Sequence, residues 1–76
     1  MSIFDEIGDT IVALRKERGR SQEWLALECG ISVSYLRKIE HGTANPTINE
    51  LRRIAEVLEI ELRNPFAIPA MAGTAR

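Results

Sequence analysis

The stretch from Gln22 to His41 leaves this chain few ways to fold. Gln22 to Glu28 reads as one short helix and Val33 to Glu40 as a second, with Cys29, Gly30, Ile31 and Ser32 between them. Gly30 falls where the first helix ends, a position that favours a left-handed residue. Ser32 then stands where an N-cap is needed for the next helix. Ala26, small and midway along the first helix, lets a second helix cross close to its backbone. Two short helices crossing closely around a glycine-containing turn, the second with a polar face, describe a helix-turn-helix unit.

The remaining segments read as a scaffold for that unit. At 76 residues the chain is one small domain. Ser2 and Asp5 have capping-box spacing, and Ile3, Ile7, Ile11 and Leu14 recur at helical intervals, which predicts a helix over about residues 3–18 ended by Gly19. Acids in its first turns and Arg15, Lys16 and Arg18 in its last complement the helix dipole. Ser21 caps the next helix. After Glu40, the run His41-Gly42-Thr43-Ala44-Asn45-Pro46 breaks the pattern, and Pro46 holds Asn45 extended. Thr47 and Glu50 form a second capping-box spacing before the stripe Ile48, Leu51, Ile54, Ala55, Leu58 and then Leu62. This predicts a helix over about 48–59 and a short fifth piece around 62–66. The expected fold class is therefore all-α, a compact five-helix bundle containing the helix-turn-helix. Residues 1–66 form the domain, and 67–76 form a C-terminal tail that is flexible or sits at a dimer interface. Phe66, Ile68 and Met71 are apolar residues with no evident place in so small a core, which points to a partner surface, while Phe66 itself is expected to cap the core.

Net charge is −1, but its distribution is uneven. Residues 15–53 carry eight basic side chains against five acidic ones, and the two ends carry two against six. A basic middle between acidic ends can present a positive face to phosphates while the whole stays near neutral. Cys29 is alone, so no disulfide or cysteine metal cluster can form within the chain, and it is expected to be a small core hydrophobe. His41 has no second ligand at metal spacing and reads as a polar residue at a helix C-terminus. No cofactor is implied, and no set of acid, base and nucleophile is available to assemble an enzyme. With no membrane-length apolar run and no signal peptide, a cytoplasmic location is expected.

On the second helix of the unit, Val33, Ser34, Arg37 and Lys38 fall opposite Leu36 and Ile39. Reading base edges in a DNA major groove calls for short side chains near a helix start and long donors one turn on. Ser34 and Arg37 fit, Arg37 by bidentate bonding to guanine, and Val33 can meet a thymine methyl. A solvated helix face has the same polarity. The N-terminus of the preceding helix, with the Gln22 side chain, forms a docking site for phosphate, and Thr43 and Asn45 are donors suited to the same role.

These residues together resemble the Cro and phage-repressor, or Xre-like, helix-turn-helix family over about residues 7–66. The resemblance rests on Gly19-Arg20-Ser21-Gln22-Glu23 leading into Leu25-Ala26, then Gly30-Ile31-Ser32, Tyr35-Leu36, Ile39-Glu40, Gly42, Asn45-Pro46, Leu51, Ile54-Ala55 and Leu58. It implies five short helices, the second and third forming the DNA-reading unit. Val33, Ser34, Arg37 and Lys38 would then face bases or nearby backbone, and Gln22, Tyr35, Thr43 and Asn45 would hold phosphates. Arg15 and Glu40 stand where family members often carry a structural ion pair. Two positions depart from the pattern: Arg20, where an apolar residue is common, and Trp24, where a charged one is. The implied function is a sequence-specific regulator binding double-stranded DNA at a pseudo-palindromic operator as a homodimer, as in phage switches or the controller proteins of restriction-modification systems. The alternatives are an antitoxin that also regulates its own operator and has a toxin partner, or a helix-turn-helix used for protein contacts alone.

Overall fold

The computed structural model describes residues 2–62, with side chains given up to Glu59. Four α-helices follow one another: α1 (Ile3–Glu17), α2 (Gln22–Cys29), α3 (Val33–Glu40) and α4 (Ile48–Leu62). Each starts on a hydroxyl residue whose oxygen accepts from a first-turn N–H. Ser2 accepts from Asp5, Ser21 from Trp24, Ser32 from Tyr35 and Thr47 from Glu50, at 3.0–3.2 Å. At Ser2 the Asp5 carboxylate returns the bond to the Ser2 N–H, and at Thr47 the Glu50 carboxylate does the same for the Thr47 N–H. Such caps contribute about 1 kcal/mol each. Gly19, Gly30 and Gly42 all have positive φ. At Gly30 (φ 73°) this left-handed turn frees the chain to enter α3 at Val33, after Ile31 and the Ser32 cap.

The expected five-helix bundle is corrected to four helices among the described residues. Helix α4 does not end near 59 but continues to Leu62, because no glycine or proline interrupts residues 48–62. The piece expected at 62–66 thus begins inside α4, and residues 63–66 lie outside the described residues, as do Phe66, Ile68, Met71 and the rest of the 67–76 tail.

The core is small and comes from all four helices: Ile11, Leu25, Ala26, Leu36, Ile39, Ile54 and Leu58. Leu25 and Leu36 are fully buried, and burial of a leucine or isoleucine side chain is worth about 1.5–3 kcal/mol. Helix α3 packs on α1 and α2, and α4 packs on α2. Ala26 lies at the crossing, buried as the spacing predicted. Ile3 and Ile48 belong to the expected apolar stripes, yet they are 61% and 75% exposed. Each is the first residue of its helix, and its side chain leans towards the N-terminal end, beyond the packed body.

Gly8 has a role that periodicity does not reveal. It is buried, and a Cβ built on it would overlap the Glu40 carbonyl and come within 2.7 Å of the Ile39 carbonyl oxygen. Helix α1 therefore lies directly against the backbone at the C-terminal end of α3. Neither atom belongs to a side chain that could swing aside. Gly8→Ala should destabilise the domain by at least the usual 1–3 kcal/mol or so of an overpacked core, despite alanine's better helix propensity. Urea denaturation of the two proteins measures the difference, and a neutral or stabilising result would show that the α1–α3 contact is not this close.

Candidate functional site

Helix α3 carries the candidate surface, and a buried polar cluster fixes its orientation. Arg15 of α1 meets Glu40, the last residue of α3, through two parallel bonds: Nε to Oε2 at 2.8 Å and Nη2 to Oε1 at 3.1 Å. Both residues are buried. The remaining guanidinium nitrogen, Nη1, donates to the Arg20 carbonyl at 2.9 Å, tying in the turn before α2. Glu40 Oε1 also accepts from the Gln22 side-chain amide at 2.8 Å. One carboxylate thus joins α1, α2 and α3. The paired fork makes these charge-assisted bonds directional as well as strong.

Gln22 is placed differently from the expected phosphate donor. Its side chain is half-buried, its Nε2 is used by Glu40, and its Oε1 accepts from Arg37 Nε at 3.3 Å. One N–H of its amide is thus spent on Glu40, and the amide carries a second beside the first-turn backbone N–H groups of α2. Val33 also departs from the open face: it is half-buried and packs against the core cluster. Ser34, Arg37 and Lys38 are exposed. Arg37 lies along the start of α2, with Nη2 3.9 Å from the Glu23 carboxylate in addition to its bond with Gln22.

The Tyr35 hydroxyl donates to Glu50 Oε1 at 2.7 Å. That carboxylate also receives the Thr47 N–H, and the two bonds hold the Glu50 pKa below its ordinary value while the Tyr35 phenol is raised by the same bond. Tyr35 therefore spends its proton inside the protein, linking α3 to the N-cap of α4. Thr43 Oγ1 donates to the Lys38 carbonyl at 3.2 Å, and Asn45 is exposed on the loop before Pro46. His41 Nδ1 lies 2.9 Å from the Arg37 carbonyl at the C-terminus of α3. Among the described residues no group of three His, Cys, Asp or Glu side chains could hold a metal ion. Cys29 is half-buried against the core, and burial raises its thiol pKa.

The two positions that depart from the family pattern meet each other. The Arg20 guanidinium lies over the Trp24 ring, 4.5 Å from its centroid. Trp24 is half-buried against the core, so the arginine covers an indole face that would otherwise be wet. Such a contact contributes about 0.5–1 kcal/mol. Arg20 precedes the Ser21 cap and lies outside α2, so helical periodicity carries no signal of this contact.

With four capped helices, a glycine turn between α2 and α3, and a polar α3 face, the geometry is that of a helix-turn-helix domain. The helix-turn-helix family model matches residues 11–63. The chain belongs to this family. It is 42% identical over 66 residues to the HTH-type transcriptional regulator SlrR of Bacillus subtilis, covering 86% of this chain and 43% of that protein. It is 39% identical over 56 residues to the immunity repressor protein of Bacillus phage phi105, covering 74% of this chain and 39% of that protein. A Sinorhizobium fredii protein named as the HTH-type transcriptional regulator y4dJ is 36% identical over 62 residues, covering 78% of this chain and 80% of that one. The match thus spans less than half of SlrR and of the phage repressor. No solved structure matches the chain significantly. Among the described residues no helix is long and apolar enough to cross a membrane.

Two outcomes test this geometry. Removing Arg15 leaves a buried carboxylate without its counter-charge, so Arg15→Ala should cost about 3–5 kcal/mol. The double change Arg15→Met with Glu40→Met should cost much less, and chemical denaturation of the three proteins compares them. For the α4 cap, Glu50 has a lowered pKa when folded, so its contribution is present above the ordinary glutamate range and is lost as pH falls through the folded value. The stability gap between wild type and Glu50→Gln should therefore be widest near neutral pH and close on acidification, measured as denaturation midpoints across pH.

Proposed function

We propose that this domain is a DNA-binding transcriptional regulator that reads its operator with α3 in the major groove. The observation that carries the reading is the exposed Ser34, Arg37 and Lys38 on a helix whose opposite side, Leu36 and Ile39, is locked into the core. A reading helix must be rigidly held, and the Arg15–Glu40–Gln22 cluster anchors its far end. Membership of the helix-turn-helix family, and relatives named as transcriptional regulators and a phage immunity repressor, support the same reading.

In this arrangement Arg37 contacts guanine, Ser34 and Lys38 flank it, and Val33 contributes its edge nearest the helix start. The first turn of α2 and the loop residues Thr43 and Asn45 meet phosphates, with Gln22 acting on the inner side as a brace. Tyr35 reaches a phosphate only by exchanging its bond to Glu50. The protein binds as a homodimer on a pseudo-palindrome, with half-sites about one helical turn, roughly 34 Å, apart. It works in the cytoplasm, without a cofactor and without an enzymatic activity of its own. The antitoxin reading differs from this in partner rather than in DNA chemistry: co-purification of a stoichiometric toxin would favour it.

Selection of bound duplexes from a random pool should yield a two-fold-related consensus containing guanine. Arg37→Ala should then lower discrimination at that base pair by about 1–3 kcal/mol while leaving the fold intact. Binding isotherms on operator and scrambled duplexes measure this, and equal affinity of wild type for both would sink the assignment.

A further inference from the structure

Arg37, the long donor at the centre of the α3 face, is already engaged in the free protein. Its Nε donates to Gln22 Oε1 at 3.3 Å, and its Nη2 lies 3.9 Å from Glu23 Oε2. Gln22 cannot turn its amide freely, because its Nε2 is bound to the buried Glu40 carboxylate at 2.8 Å. The carbonyl end of Gln22 is therefore the end that faces Arg37. Glu23 sits beside it at the start of α2, the end of that helix to which phosphate would come. Its side chain is 68% exposed and that of Arg37 is 51% exposed. The pair is accessible, and its partners can be exchanged.

We infer that Glu23 tunes how tightly this domain holds its operator, by keeping Arg37 in a pair that must be broken before the arginine can bond guanine. The inference rests on the DNA-reading function proposed above. An exposed ion pair of this kind is worth about a two- to five-fold factor in an equilibrium. A single solvated phosphate contact is of similar size, so on arbitrary DNA Arg37 gains little by leaving Glu23, and the pair largely stays closed. A bidentate guanine contact is worth about five- to 150-fold. Only that contact outweighs the parked state, and making it leaves the Glu23 carboxylate near the backbone without its counter-charge. Glu23 thus lowers operator binding by about the worth of the pair, and lowers binding to arbitrary DNA less.

Glu23→Gln keeps the shape and removes the charge, and its exposure leaves the core untouched. On the selected operator its affinity should rise about two- to five-fold. On a scrambled duplex the rise should be smaller, with the salt dependence steeper by at most about one phosphate contact, so the ratio of specific to non-specific affinity rises. In an Arg37→Ala background the same change should leave that ratio unaltered, since the glutamate acts through the arginine. Equal gains on both duplexes, a fall in the ratio, or the same rise without Arg37 would overturn the inference while leaving DNA reading intact. A wild type with no preference for any selected duplex would instead overturn both.

Discussion

Taking a carboxylate out of water costs several kcal/mol unless its oxygens are matched by donors that cannot drift away. Glu40 meets that condition with three bonds, two from Arg15 and one from Gln22. Those bonds do more than neutralise a charge. Arg15 lies on α1, Gln22 opens α2 and Glu40 closes α3, so the bond lengths fix how three helices are disposed around the exposed α3 face. A hydrophobic contact at the same place could slide by an ångström with little change in energy. A bidentate guanidinium–carboxylate pair cannot. The core supplies most of the stability, and the cluster supplies the angle.

The same cluster extends outward by one step. Gln22 is held from behind by Glu40 and offers its carbonyl to Arg37. Buried electrostatics therefore reach the surface through a single amide, and the arginine at the centre of the exposed face is aligned before any ligand arrives. Tyr35 performs a parallel task on the other side of α3, where its hydroxyl joins the capping box of α4. Helix α3 is thus braced at both ends by polar bonds, while Leu36 and Ile39 fill the centre.

How much of this was legible in the sequence follows from the range of each interaction. Caps and turns depend on residues three or four apart, so Ser2, Ser21, Ser32, Thr47 and the turn glycine Gly30 could be read directly. The helix-turn-helix and its apolar inner face followed from the same local rules. Contacts between elements were harder. The Arg15–Glu40 pairing entered only through resemblance, and the inward turn of Gln22 depends on how close α2 comes to the end of α3, which no periodicity encodes. Val33 was assigned by position on a helical wheel to the open face, yet the packing of neighbouring elements half-covers it. The extent of α4 has a simpler cause: Leu62 continues the apolar stripe four residues after Leu58, and no glycine or proline stops the helix before it. Gly8 carries no local signal: a glycine inside an apolar helical pattern reads as tolerated, and its value lies in what the opposite helix places against it.

The closeness of α1 at Gly8 has a consequence for anyone who would move this reading surface to another protein. Helix α3 cannot be lifted out with its turn and set on a generic helical support. A support with any side chain opposite the Ile39 and Glu40 carbonyls would push the helix outward and tilt the Arg37 face. The transferable unit is discontinuous: residues 22–41 together with a glycine and an arginine seven positions apart on a separate helix, of which only the arginine makes a bond to it. A designer who copied only the contiguous motif would keep the exposed residues of α3 and lose the geometry that aims them.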